Sequence, residues 1–248
     1  MTDRETLEGH GTFWTPVRQR DALVVALTVV TGAVDAIGFT RLGGVFTSVM
    51  TGNMVLLGVS AGNGDVSLAL HTGVAFVAFI LGGFAGARVA GHATKDQDFW
   101  PRPILTALTL ELGVLCVFAI WWESVTGAPT GSAQYAMLGV NAVALGIQSA
   151  AILRFGISGL STTYLTGTLT QLVASLTKRA EPVHGRNVLL LLALIVGAGL
   201  GALVAIDVPR AAPAVPVVVL AFVVVCGEIV FHRRTGPRSL VRRARDAA

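Results

Sequence analysis

Three acidic residues stand where acids are costly. Asp35, Glu111 and Glu228 each interrupt a long apolar stretch of a 248-residue chain. In a membrane-spanning segment, a charge at the bilayer centre costs about 2.5–3.5 kcal/mol on insertion scales. An acid kept there is paired, protonated, or used to bind a proton or cation. Asp35 lies in Thr31-Gly32-Ala33-Val34-Asp35-Ala36-Ile37-Gly38, and Glu228 lies four residues before His232. These three are the candidate coupling acids. The competing reading pairs them with Arg41, Arg88 or Arg154, or brings them close enough to an interface to meet water.

A second set of residues is neutral. The run Thr47-Ser48-Val49-Met50-Thr51-Gly52-Asn53 surrounds a glycine with hydroxyls and an amide, and Thr162-Thr163-Tyr164-Leu165-Thr166-Gly167-Thr168 repeats the arrangement. Threonine and asparagine supply uncharged donors and acceptors, and glycine lets the backbone unwind and present its own N–H and C=O groups. Two such segments meeting in the membrane could replace the hydration shell of a small solute or ion. Thr47, Thr51, Gly52, Asn53, Thr162, Thr166, Gly167 and Thr168 are therefore the candidate substrate-binding residues. The same residues would also serve as helix-to-helix glue. A third set, Gly82 with Gly86 and Gly197 with Gly201, forms two GxxxG motifs, which let helix backbones approach closely within one chain or between two.

The signatures of other chemistries are missing. There is no GxxxxGK[ST] phosphate loop and no HExxH, and the nearest approach to a GxSxG nucleophile elbow, Gly159-Leu160-Ser161-Thr162-Thr163, lacks its second glycine. His71 and His184 have no metal-ligand spacing around them. Cys116 and Cys226 lie in apolar stretches and read as small hydrophobes. No catalytic residue, metal or cofactor is expected.

The elements that must hold these residues follow from composition. Hydrophobic residues make up 53% of the chain and charged residues 13%, against roughly 25% charged in soluble domains. The apolar residues fall in eight blocks: 22–40, 45–61, 70–91, 104–122, 134–153, 160–176, 187–206 and 214–231. A span needs about 20 residues. Six blocks reach that length within two residues. The second and sixth are the shortest, and both are rich in Thr, Ser and Gly. The polar start, Met1 to Arg20, has no short apolar core followed by a cleavage site, so no cleavable signal is expected.

The chain also repeats itself. Displaced by 115 residues, Gly44 meets Gly159, Thr47 meets Thr162, and Thr51-Gly52 meets Thr166-Gly167. Between Ile80–Ala90 and Ile195–Ala205, Ile80, Gly82, Gly86, Ala87, Val89 and Ala90 all find the same residue type. In this register Asp35 faces Ala150, with Gln148 nearby, and a small insertion would align Glu111 with Glu228. Each half then has four blocks, the second being the weak one.

Positive charge chooses between eight spans and six. With six spans and the N-terminus inside, every Lys and Arg except Arg41 and Arg210 falls on the cytoplasmic side. Eight spans would move Arg88, Lys95, Arg102 and Arg154 outside, against the positive-inside rule. Trp121 and Trp122 then mark the outer interface, and Trp14 and Trp100 the inner one. The expected fold is all-α: a polytopic helical bundle of about six transmembrane helices plus two short broken or re-entrant segments, arranged as two inverted repeats. The expected organisation is a cytoplasmic tail (1–21), a first membrane repeat (22–123), an external loop (124–133), a second membrane repeat (134–232) and a basic cytoplasmic tail (233–248).

The motifs together also resemble a family. Thr31 to Phe39, followed by Gly43-Gly44-Val45-Phe46 and Thr51-Gly52-Asn53, is similar to the signature of the YoaK-like bacterial membrane proteins. So is Leu145-Gly146-Ile147-Gln148-Ser149-Ala150, followed by Ser161-Thr162-Thr163 and Thr166-Gly167-Thr168. The resemblance runs from about Ala22 to Phe231. It implies a multi-spanning protein of the bacterial cytoplasmic (inner) membrane and supplies no substrate, since that family is a domain of unknown function.

The expected function is a small secondary transporter or permease. Gly-interrupted segments at matching places in two inverted halves point to a transport site. A non-transporting scaffold or sensor, binding through its GxxxG faces, is the competing reading. An intramembrane enzyme comes third, because no nucleophile and base stand convincingly within reach of each other. The expected partners are membrane lipid, an unidentified small solute and a second copy of the chain in a homodimer. The net charge of +4 is gathered at loops and ends, a topology signal that gives nucleic acid no stripe to follow.

Overall fold

A computed structural model of the protein describes residues 16–91, 101–154, 165–177 and 185–235; Thr162, Trp14 and Trp100 lie outside them. The described residues form α1 (Pro16–Arg41), α2 (Met50–Asn63), α3 (Val66–Ala90), α4 (Arg102–Ser124), α5 (Ser132–Leu153), α6 (Leu165–Thr177), α7 (Gly185–Asp207) and α8 (Ala214–Thr235), with one 3-10 turn at Pro209–Ala211 before α8. All of α1, α3, α4, α5, α7 and most of α8 are long and apolar enough to cross a membrane. The two weak blocks fold as short helices of 14 and 13 residues. At 1.5 Å per residue these reach about 20 Å, short of a hydrocarbon core about 30 Å thick.

Local chemistry ends the helices where the chain must turn. Between α2 and α3 only two residues intervene. Gly64 takes the left-handed conformation (φ 73°) and its N–H closes on the Ser60 carbonyl. The Asp65 side chain then accepts the Leu68 N–H at 3.0 Å, capping α3. Beyond the end of α1, Gly43 and Gly44 both have positive φ, a conformation open to glycine at little cost.

Two helix pairs form the closest contacts, α1 with α7 and α3 with α5. In one, Gly197 faces Val29 and Gly201 faces Ala33; in the other, Gly82 faces Val143 and Gly86 faces Ile147. Both pairs are thus parallel. The contacts are reciprocal: Gly32 of α1 abuts Leu194, Gly197 and Ala198, and Gly146 of α5 abuts Phe79, Gly82 and Gly83. A Cβ at Gly82 or at Gly197 would stand 2.2 Å from a facing carbonyl oxygen. Both GxxxG motifs are therefore consumed inside the chain.

The two first helices, α1 and α5, run in opposite directions. Gln134 at the start of α5 donates to the Arg41 carbonyl at the end of α1 (2.9 Å). Gln148, near the end of α5, donates to Thr31 Oγ1 (2.8 Å) and to the Leu27 carbonyl (3.3 Å), deep in α1. Trp122 Nε1 donates to the Pro209 carbonyl at 2.7 Å, joining the end of α4 to the end of α7. Helices α1, α4 and α7 therefore point one way and α3, α5 and α8 the other. Among the described basic residues, Arg18, Arg20, Arg88, Arg102, Arg154 and Arg186 belong to the end of the bundle where α1 starts, and Arg41 and Arg210 to the opposite end.

These contacts correct the sequence register at one place. The third helices, α3 and α7, correspond by 115 residues, but the first helices, α1 and α5, correspond by 114: Val29 plays the part of Val143, and Gly32 that of Gly146. The one-residue difference therefore falls after Ala33 and before α3 in the first half. Asp35 consequently stands opposite Ser149 and not Ala150.

The first helices are also the central ones. Their apolar windows are 67% and 61% buried, against 22% for α3 and 28% for α7. The outward faces keep large apolar side chains such as Phe84, Ile120 and Ile195 exposed, which suits a surface in contact with lipid.

Candidate functional site

Asp35 is 6% exposed and every hydrogen bond it accepts comes from the segment between α1 and α2. Its Oδ1 takes the Thr47 N–H (2.7 Å), the Thr47 hydroxyl (2.8 Å) and the Ser48 N–H (2.8 Å). Its Oδ2 takes the Ser48 hydroxyl (2.5 Å). The chain can fold back this closely because Gly38 presents no side chain: a Cβ there would stand 3.0 Å from the Thr47 methyl and 3.1 Å from the Val45 carbonyl. The amides that Asp35 holds lie just before α2, where backbone N–H groups and the helix dipole both favour an anion. A carboxylate, which only accepts, fits this cradle of donors.

Asn53 closes the same segment from the other side. Its Oδ1 accepts the Phe46 N–H (3.1 Å) and its Nδ2 donates to the Phe46 carbonyl (2.6 Å). Thr47 and Asn53 are thus buried, Thr47 bound to Asp35 of α1 and Asn53 to Phe46, while Thr51 is exposed and Gly52 half-buried. The second half repeats the exposure residue by residue. Thr166 is exposed, Gly167 half-buried and Thr168 buried. Thr168 differs in one respect: its hydroxyl has no hydrogen-bond partner.

The arginine expected as a partner for Asp35 is occupied elsewhere. Arg41 reaches across to α7 and donates to the Ala205 carbonyl through Nε (2.9 Å) and Nη2 (2.5 Å). Cations are favoured at a helix C-terminus, where carbonyls lack partners. At the other end of the bundle Arg154 stands at the C-terminus of α3, its Nη1 2.7 Å from the Cβ position of Gly91. In the same way, His71 beside Gln134 and Tyr135 at one end matches Arg186 beside Asp21 at the other.

Glu111 is a different kind of acid. It is fully buried on α4, and neither carboxyl oxygen has a hydrogen-bond partner. Asn141 on α5 is also fully buried, with neither side-chain atom partnered. Helices α4 and α5 form an antiparallel hairpin around the 125–131 connection. Counted from that connection at 1.5 Å per residue, Glu111 lies about 20 Å deep and Asn141 about 14 Å, one helical turn apart. Glu228, by contrast, is exposed on α8. The buried positions Ile104, Leu108, Glu111 and Leu115 of α4 share their spacing with Pro216, Leu220, Val223 and Gly227 of α8. Glu228 is exposed where Glu111 is buried, so the two acids do not stand in equivalent surroundings.

Sequence reasoning named Asp35 and Glu111 but missed Asn141, Thr28 and Thr31. The available signal was an amide or hydroxyl inside a block of otherwise apolar residues. Two grooves run along the bundle's outer face: one of about 710 Å³ on the α4–α5 seam beside Leu110, Val114 and Val140, and one of about 600 Å³ on the α3–α5 seam ending at Arg154. Both are lined almost wholly by apolar side chains. Among the described residues no group of three His, Cys, Asp or Glu could hold a metal ion.

Comparison with known proteins agrees with a multi-spanning membrane protein. Residues 23–226 match the family described as "Protein of unknown function (DUF1275)". Over 165 residues the chain is 34% identical to the UPF0700 transmembrane protein YoaK of Bacillus subtilis (strain 168), covering 66% of this chain and 71% of that protein. No solved structure matches the chain.

Proposed function

This chain belongs to the DUF1275 family of membrane proteins, and on that premise we propose that it is a small secondary transporter or permease for a small solute or ion. The observation that carries the reading is the antiparallel relation of α1 and α5, the equivalent first helices of two repeated halves. Three spans in each half make the repeats inverted, related by a two-fold axis in the membrane plane. Each half also has a short helix where a span would otherwise lie. In this reading the 42–49 segment and α2 re-enter from the side bearing Arg41, and α6 re-enters from the opposite side. Discontinuous helices at matching places in inverted halves are where secondary transporters bind substrate, and irregular backbone at membrane depth is stable only against protein or a water-filled cavity.

The solute site then draws on the buried polar groups Thr47, Asn53 and Thr168, with Gly52 and Gly167 freeing the backbone beside them and Thr162 matched to Thr47 by sequence alone. Thr51 and Thr166 flank it. The end of the bundle that gathers Arg20, Arg88, Arg102, Arg154 and Arg186 is cytoplasmic. A scaffold binding through its GxxxG faces is the weaker reading, because those glycines are already packed against α1 and α5. For the same reason a homodimer would have to form through other surfaces.

Two measurements test this. Single cysteines at Gly64, Gly131, Asp96, Glu181 and Ser48, in a chain lacking Cys116 and Cys226, report which side reaches each position. The reading expects Gly64 and Gly131 to label from outside, Asp96 and Glu181 from inside, and Ser48 through water. Labelling of Gly64 and Asp96 from the reverse sides would remove the inverted repeat. Flux of small solutes into proteoliposomes tests transport itself, and folded protein that moves none of them would count against it.

A further inference from the structure

Among the candidate coupling acids, Asp35 and Glu111 are held in opposite ways. Asp35 is satisfied by four donors of the segment between α1 and α2, and losing its charge would loosen that segment. Glu111 has none: it is fully buried and both oxygens lack a partner. A carboxylate buried without a partner is far more costly than the neutral acid, so such a group takes up a proton. Among the described residues, no charged side chain bonds to Glu111. Leu108 and Leu115 flank Glu111 on its own helix, and Leu145 and Ile147 are buried on α5 in the same core. The charged or basic residues of the helices packed on α4 are His71 and Arg88 on α3, Arg154 just beyond α5, and Glu228, His232, Arg233 and Arg234 on α8; Glu228 is exposed and the others lie at or near helix ends.

We infer that Glu111 is a proton-binding site, carried as the neutral acid in the closed bundle, and that Asp35 is a tether that fixes the broken segment. Its use as the coupling site for transport rests on the transporter reading above; the binding of the proton does not. A proton fits this position better than a metal cation. Hard cations such as Ca²⁺ and Mg²⁺ take about six or more oxygen ligands, and no cluster of three His, Cys, Asp or Glu is present among the described residues. Asn141 is the second half of the observation. Its buried amide also has no partner, and it lies about one helical turn from Glu111 in depth. It can donate to a carboxylate or accept from a carboxylic acid, so a shift of about one helical turn of α5 along α4 would bring it level with Glu111, able to serve either protonation state. An amide with that freedom suits an acid that changes state as the bundle moves.

The test is infrared spectroscopy of the full-length protein in lipid bilayers, titrated from neutral to alkaline pH. The native protein is expected to show a carboxylic-acid C=O band at neutral pH that fades as pH rises. The band should vanish in Glu111→Gln, shift in frequency in Glu111→Asp and in Asn141→Leu, and persist in Asp35→Asn. Each variant is first checked for a monodisperse folded peak, and Glu111→Asp decides the matter if Glu111→Gln does not fold. No acid band in the native protein, or one that survives both Glu111 substitutions, overturns the proposal. A band that obeys these expectations in a protein that moves no solute upholds the proton site and defeats the transporter reading.

Discussion

The two halves of the molecule share a scaffold and differ in their polar contents. Gly82 on Val143 is repeated as Gly197 on Val29, and Gly86 on Ile147 as Gly201 on Ala33. The arginine at the C-terminus of α7 is repeated by one at the C-terminus of α3. Inside this frame the correspondence stops. Asp35 stands opposite Ser149, Gln148 opposite Val34 and Asn141 opposite Leu27, and the one acid of α8, Glu228, is exposed where Glu111 of α4 is buried. The difference teaches where each kind of constraint lies. Backbone contact at carbonyl distance admits only glycine, so both halves keep it. A buried polar group is costly anywhere, so it stays only in the half where it serves a purpose.

The scaffold half of this comparison predicts the largest effects. Gly82→Leu and Gly197→Leu should each abolish the folded protein, because even a Cβ meets a carbonyl oxygen at 2.2 Å. The cost should exceed the ~1–3 kcal/mol usual for overpacking. Gly199→Ala, at a position with open space around it, is the control that should fold normally. Size-exclusion chromatography in detergent reads all three. If α7 tolerates the leucine and α3 does not, the halves are not equivalent scaffolds.

Next in size is the tether. Asp35→Ala leaves two buried amides and two hydroxyls without their acceptor, at about 1–3 kcal/mol for each group left unsatisfied. Ser149→Ala, at the matching place in α5, should cost less than about 1 kcal/mol, the scale of a single neutral hydrogen bond. Thermal unfolding compares the two, and cysteine reactivity at Ser48 should rise only when Asp35 is replaced. Equal losses from both would mean that Asp35 does no more than an ordinary buried polar residue.

Smaller again are the two arginines. Arg41→Gln and Arg154→Gln should each cost about 0.5–2 kcal/mol, the range for a cation at a helix C-terminus, and the two losses should be similar. The shift in thermal midpoint measures this. A loss confined to Arg41 would show that the two ends of the bundle are closed by different means.

Much of this architecture was legible in the sequence, for physical reasons that also explain the gaps. A span must be apolar for its whole length, so six helices stood out and α2 and α6 stood out as too short. Close packing needs glycine at fixed spacing, so the repeat surfaced at Gly82, Gly86, Gly197 and Gly201. The register of α1 against α5 was harder. Their shared faces are Val, Ala and Leu, which match one another at neighbouring offsets, and one residue of difference in the following connection went unnoticed. Hydrogen-bond partners were beyond reach. Nothing in the spacing of Asp35 and Thr47 says that the chain folds back between them, so the sequence offered Asp35 a coupling role or, as the competing reading, an arginine partner, and not the loop donors that hold it. Identity in type also misled: Glu111 and Glu228 are the same residue in corresponding blocks, but helical phase puts one in the core and the other on the surface.

The smallest expected effect separates the two acids most cleanly. Asp35→Asn and Glu111→Gln remove the same charge with almost no change of shape. In Asp35→Asn an amide NH₂ must turn toward a cradle built of donors, so a donor faces donors and the segment before α2 should be destabilised by about 2 kcal/mol or more, within the range for hydrogen bonds to a charged group. In Glu111→Gln no hydrogen bond is lost, since Glu111 makes none, and a neutral acid is exchanged for a neutral amide. Its loss of stability at neutral pH should be smaller than that of Asp35→Asn, because no hydrogen bond is broken. Thermal unfolding of the pair in one detergent measures both. A large loss in Glu111→Gln would mean that Glu111 is held as a charge, whereas a flat response beside a failing Asp35→Asn would leave one acid that builds the fold and one that the fold can spare for protons.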